Sequence, residues 1–185
     1  EDHLWFANYE WNIKRKHGYQ LLKTSELKEG MRLKYQFANT SSSVRIPSPQ
    51  GIQHGFMFGD GTKNRIDLQK GKDESIIKYF GENRIFEKDG FYQITDLPEH
   101  YKELPMKRWD KKYILGFLMG YFAAEGSINN GEISISSSKK ENLEFYKEMA
   151  ETCGIGSYAI RMSSNSSNYK EDRELYQMTL IPSTL

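Results

Sequence analysis

A single cysteine, Cys153, stands in 185 residues. One thiol cannot form an internal disulfide framework. The chain therefore fits a reducing compartment, the cytoplasm or a nucleoid or organelle matrix, and not secretion. No signal-peptide pattern opens the sequence. Long apolar runs are missing as well: the longest, residues 113–124, is too short to span a bilayer, so no membrane partner is expected. An excess of positive charge is also absent. The net charge is only +1, which excludes a uniformly basic surface. The charge is uneven, however. Residues 1–47 hold 8 Lys/Arg against 5 Asp/Glu, and residues 113–185 hold 6 against 9.

What is present is ample material for folding. Apolar residues make up 37% and charged residues 28%, ordinary for a globular chain with a sizeable core. Glu1 without an initiator methionine, and a last residue just after a strand-like segment, suggest a fragment. Residues 1–36 read as short strands around a turn, a small all-β segment. Residues 37–51 read as a linker, with the polar run 39–43 followed by Pro47 and Pro49.

From residue 52 the chain is built twice. Residues 91–98 recur as 175–182, with Tyr, Gln, Thr and Pro identical at an offset of 84. Upstream, residues 55–61 recur as 120–126 at an offset of 65, each ending in an acidic residue and glycine. Insertions of 19 residues in the second copy account for the difference. The same element order is expected after each acidic-glycine step: a strand (64–69 or 132–137), a helix (74–80 or 140–152), then two strands. The period is too long for a solenoid and points to a pseudo-two-fold domain, with halves at about 52–108 and 109–185.

The two small-residue segments predict helices that pack closely. Gly55 and Gly59, and Gly120 and Ala124, are each four apart and share a helix face. Smooth strips of this kind let two backbones approach, while the flanking residues are bulky and apolar. Side by side, the helices bring Asp60 and Glu125 together at one end. Two close carboxylates repel each other unless a cation lies between them. Oxygen ligands alone suit Mg2+, and a divalent ion there can activate water against a phosphodiester. Taken singly, an Asp-Gly step is an ordinary helix end and an apolar helix is ordinary core. The pairing within a repeat is what points to chemistry.

Residues 53–61 and 118–126 resemble the two LAGLIDADG motifs of homing endonucleases, and the likeness extends over about residues 50–185. The resemblance implies an α+β fold of two αββαββα halves forming a DNA-binding saddle. It implies catalytic and metal-binding roles for Asp60 and Glu125, with Gly59 and Ala124 beside them at the metal site. The helix interface would be Gly55, Gly59, Gly120 and Ala124. Lys102 or Lys107 would be the catalytic lysine of the first half. The substrate would be a long asymmetric double-stranded DNA target, cut by a monomer. The compressed first half and a missing closing helix depart from the family pattern.

Strand alternation then assigns a DNA-facing surface. In the first half it comprises Arg65, Gln69, Gln93 and Thr95. In the second it comprises Ser134, Ser136, Arg161, Gln177 and Thr179. Arg, Gln, Ser and Thr side chains suit base edges and phosphates, although any one of them also suits a solvated sheet face. The basic cluster at residues 14–17 would reach flanking phosphates or lie in a solvated loop.

The opening segment, residues 1–4, looks like the end of an intein block in which His3 polarises the splice junction. Residues 22–30 are similar to a turn common in such splicing modules. Three readings follow: an intein-borne endonuclease, a non-cleaving DNA- or RNA-binding relative (a maturase or regulator), and a degenerate intein whose main activity is splicing.

Overall fold

The structure, a computed structural model, describes residues 4–15, 17–34, 46–81, 83–163 and 174–181. The chain divides into two compact units, Glu1–Ala38 and Asn39–Leu185. His3, Lys16 of the basic cluster, the polar run 39–43 and Pro182 lie outside the described residues.

The first unit is a three-stranded antiparallel sheet of order β2-β1-β3. Its elements are β1 (Leu4–Tyr9), α1 (Glu10–Lys14), β2 (Gln20–Lys23) and β3 (Met31–Leu33). Asn8 is buried and ties the unit together: its amide donates to Gly18 O at 2.5 Å, and its Oδ1 accepts from Tyr9 N at 2.8 Å. Lys14, from the basic cluster, pairs with Glu10 at 2.9 Å.

The second unit holds both copies of the repeat. The first copy runs α2 (Pro49–Asp60), β4 (Ile66–Gln69), α3 (Glu74–Ile77), β5 (Arg84–Glu87) and β6 (Phe91–Thr95). A 3-10 turn, Glu99–Lys102, follows. The second copy runs α4 (Lys111–Glu125), β7 (Gly126–Asn129), β8 (Glu132–Ser137), α5 (Lys140–Thr152), β9 (Arg161–Ser163) and β10 (Leu175–Thr179). Two antiparallel sheets result, of order β4-β6-β5 and β7-β8-β10-β9. Each helix covers its own sheet. Phe56, Ile66 and Ile94 belong to one buried cluster, and Tyr121, Ile135 and Met178 to the other. No helix among the described residues is long and apolar enough to cross a membrane.

Three expectations need correction. The first unit is not all-β, because the helix α1 stands between β1 and β2. Helix α2 begins at Pro49, three residues inside the segment read as linker. Proline suits the first helical turn, and Ser48 caps it, its Oγ accepting from Gly51 N at 3.3 Å. The element order of the halves also differs. In the second copy a full strand, β7, leaves the helix and turns at Asn130-Gly131 into β8, with both turn residues at positive φ. That is the two-residue hairpin for which Asn-Gly is the strongest short signal. In the first copy only an isolated bridge, Thr62 to Arg65, stands in its place. The strand registers locate the insertions. Ile66 pairs with Ile94, and Ile135 pairs with Met178. Four added residues therefore lie in the β7–β8 hairpin, and fifteen lie between β8 and β10, where α5 replaces the short α3.

Candidate active site

The site is built on the α2–α4 contact. A Cβ on Gly55 would overlap Phe117 O, and one on Gly120 would overlap Ile52 O. One turn earlier, a Cβ on Gly51 would overlap Tyr113 O, and one on Gly116 would overlap Ser48 O. Each contact has its mirror at the helix offset of 65, so the interface is a pseudo-two-fold axis running along two parallel helices. The expected strip is thus one turn longer than Gly55, Gly59, Gly120 and Ala124. Gly51 and Gly116 were readable from the same four-residue spacing. At the far end the strip closes on Gly59, whose added Cβ would lie 2.5 Å from Ala124 Cβ and 3.2 Å from Glu125 Cγ.

That contact sets Asp60 and Glu125 side by side at the C-terminal ends of their helices. The glycine after each is required for space, not for a left-handed cap. Gly61 and Gly126 have φ of −80° and −81°, and a Cβ on either would run into the carbonyl of Met57 or Phe122. Both residues are exposed, with protein close enough to each carboxyl to desolvate it in part. Partial burial raises the pKa of Asp60; Asp73 adds to the rise, while Lys72 and Lys102 oppose it. Burial also raises Glu125, the Asp60 charge raises it further, and Lys102 opposes.

Lys102 is the cation that acts on both carboxylates. Its Nζ donates to Phe58 O at 2.7 Å and to Met57 O at 3.1 Å, carbonyls of the last turn of α2. Burial pushes its pKa down, and Glu125 and Asp60 pull it back up. Lys107 is not brought here: it forms an ion pair with Glu148 on α5. The sequence could not separate these two lysines, five residues apart on one irregular segment.

Lys72 and Asp73 near Asp60 offset each other, and two carboxylates with two helix C-termini, each worth about half a negative charge, then outweigh Lys102 by about two charges. A divalent cation fits that deficit. Among the described residues no group of three or more His, Cys, Asp or Glu could hold a metal. Asp60 and Glu125 are the two carboxylates that would hold such an ion, and hard oxygen ligands of this kind suit a divalent cation. Beside Glu125 opens a cleft of about 570 Å³, lined among others by Phe58, Lys102, Tyr121, Ser136 and Asn142.

A buried histidine without any motif to mark it in the sequence lies midway along α2. His54 is 1% exposed. Its Nε2 lies 2.8 Å from Glu103 O and its Nδ1 3.0 Å from the Tyr113 hydroxyl. A carbonyl only accepts, so Nε2 carries the proton and Nδ1 accepts from the tyrosine. The ring stacks on Tyr101 at 4.6 Å. Burial lowers its pKa to about 4, so it is a neutral core residue.

The outward sheet faces are largely as alternation assigned them. Arg65, Gln69 and Arg161 are exposed, and Ser136, Gln93, Thr95, Gln177 and Thr179 are half-buried. Ser134 is the correction. It lies on that face but is only 4% exposed, because it sits on a central strand beneath longer neighbours. Its Oγ is 3.0 Å from Ser127 Oγ and accepts from Gln177 Nε2 at 3.0 Å. It positions Gln177 and makes no outward contact of its own.

Comparison with known proteins places this architecture. Residues 112–182 match the family model described as a LAGLIDADG-like domain. A point variant of I-DmoI, solved with its target DNA in the presence of 2 mM Mg, is similar at a TM-score of 0.55 and 13% identity, over 72% of this chain and 88% of that one. A mesophilic variant of the homing endonuclease I-DmoI is similar at 0.51 and 14% identity, over 73% and 89%. Elongation factor 2 of Methanopyrus kandleri is 26% identical over 168 residues, which take in 74% of this chain. The chain covers only 13% of that protein's length. The repeat, the glycine-packed helix pair and the two sheets together give the chain a LAGLIDADG-like α+β fold, with the family match itself on the second half.

Proposed function

We propose that the chain is a site-specific endonuclease that hydrolyses phosphodiester bonds in double-stranded DNA with a divalent metal ion. The observation that carries this reading is the Asp60–Glu125 pair, set on a backbone-to-backbone helix contact, where partial desolvation of both groups and the Asp60 charge acting on Glu125 mark a deficit of positive charge. Asp60 and Glu125, with the backbone at Gly59 and Ala124, hold the ion. When bound, it supplies an activated water and neutralises charge at the leaving oxygen. Lys102 does two things. It fixes the end of α2 through Met57 and Phe58, and its charge favours both carboxylates in their ionised form. The outward sheet faces meet the DNA, and the differing halves suit an asymmetric target read by one chain.

The test is a cleavage assay on a DNA library with Mg2+, comparing wild type with Asp60→Asn and Glu125→Gln. Cutting that needs Mg2+ and falls at least 100-fold in either variant is expected. DNA binding by a folded wild type that cuts nothing would instead establish a non-cleaving relative, the reading favoured by the net charge of +1. The match within an elongation factor supports a further reading, that a segment of this kind is carried inside a host protein, as an intein is. On that reading the first unit is part of a splicing module.

A further inference from the structure

On the outward face of the first half-sheet, one carboxylate holds two of the polar side chains. Asp67 Oδ2 lies 3.4 Å from Arg65 Nη2, and Asp67 Oδ1 accepts from Gln93 Nε2 at 3.3 Å. Asp67 and Gln93 are directly opposed on β4 and β6. Ile66 and Leu68, on either side of Asp67, are buried, so the carboxylate points away from the core. In the second half Gln177 is opposed by Ser136, which makes Ser136 the counterpart of Asp67. There the glutamine amide is held by the Ser134 hydroxyl. One half thus presents an ion pair where the other presents neutral hydroxyls.

An acidic side chain on a surface that meets phosphates is repulsive unless it has its own partner. In the major groove, a G·C pair offers two acceptors on guanine beside an amino donor on cytosine. A guanidinium donates to the first, and a carboxylate accepts from the second. Arg65 and Asp67, side by side on one face, are the complement of that edge. We propose that Asp67 is a specificity-determining residue of the first half: with Arg65 it selects a G·C pair in one half-site, and it holds Gln93 for the neighbouring base. In the second half the outward carboxylate is Glu132 at the end of β8, which accepts from Thr179 Oγ1 at 2.8 Å and does not hold the glutamine, so the two half-sites differ in what they require at this place.

This inference rests on the DNA-reading assignment above and is tested apart from it. The full chain, with Ca2+ replacing Mg2+, is used to select from a random double-stranded library, and the bound pool is sequenced. Wild type should select a G·C pair at one position of one half-site. Asp67→Asn, which keeps the shape and removes the charge, should lose that preference by roughly ten-fold or more. Arg65→Ala should lose the same position. The preferences of the other half-site should be unchanged in both, and Asp67→Asn should bind unrelated DNA more tightly. Retention of the preference by Asp67→Asn, or a uniform loss over all positions, overturns the role of Asp67 and leaves DNA reading intact. A folded wild type that selects no sequence overturns both.

Discussion

Gly55 and Gly120 make the same contact in opposite directions. Each backbone lies against a carbonyl of the other helix, Phe117 O for Gly55 and Ile52 O for Gly120. The contact sets the helix spacing, and the helix spacing sets the distance between Asp60 and Glu125.

A methyl at either glycine has no cavity to enter, because the obstruction is backbone. Gly55→Ala or Gly120→Ala is expected to destabilise the second unit by roughly 1–3 kcal/mol or more, the range for overpacked cores. Gly81→Ala is the control. Its Cβ would meet only Lys78 O at 3.8 Å, and its φ is −58°. That change should be neutral or slightly stabilising. Urea unfolding followed by circular dichroism measures both.

The paired carboxylates should cost stability when no metal is bound. Their pKa values are raised, so the folded protein holds protons that the unfolded chain has released. Stability is then greatest below the ordinary carboxylate range and falls as pH rises through the folded values. Asp60→Asn and Glu125→Gln are expected to raise the melting temperature of the metal-free protein at pH 7 by a few degrees at most, since one side of each group is wet. The gain should vanish near pH 3. Mg2+ or Ca2+ should stabilise wild type and leave both variants unchanged. Thermal melts with and without EDTA at the two pH values decide this.

His54 acts in the other direction. Its pKa falls from an ordinary 6.5 to about 4 on burial, so the unfolded chain binds the extra proton first. The stability this gives is complete above pH 6.5 and is lost as pH falls toward 4, a loss of up to about 3 kcal/mol. His54→Gln is expected to flatten the slope of unfolding free energy between pH 6.5 and 4.5, at some cost from the Tyr113 and Glu103 contacts. An unchanged slope would mean that other groups carry the acid sensitivity.

Much of the site was legible because its determinants are local and periodic. The glycine spacing marks one helix face, the 65-residue offset marks a second copy of it, and the acidic-glycine step marks the end of both. The repeated Tyr-Gln-Ile-Thr and Tyr-Gln-Met-Thr strands marked their inner and outer faces by simple alternation. The β7–β8 hairpin has its own local signal in Asn130-Gly131, but it does not follow from the repeat, because it is where the two halves differ.

The two-fold plan and the two carboxylates follow from spacing along the chain and need no folded contact to be read. Tertiary structure alone decided the rest. It chose Lys102 over Lys107, because only one of them lies over the end of α2. It buried Ser134, because a short side chain in mid-sheet lies below its neighbours. It put Asp67 between Arg65 and Gln93, because β4 pairs with β6, twenty-six residues further along the chain. Contacts between strands distant in sequence depend on register, and register exists only once the sheet has formed.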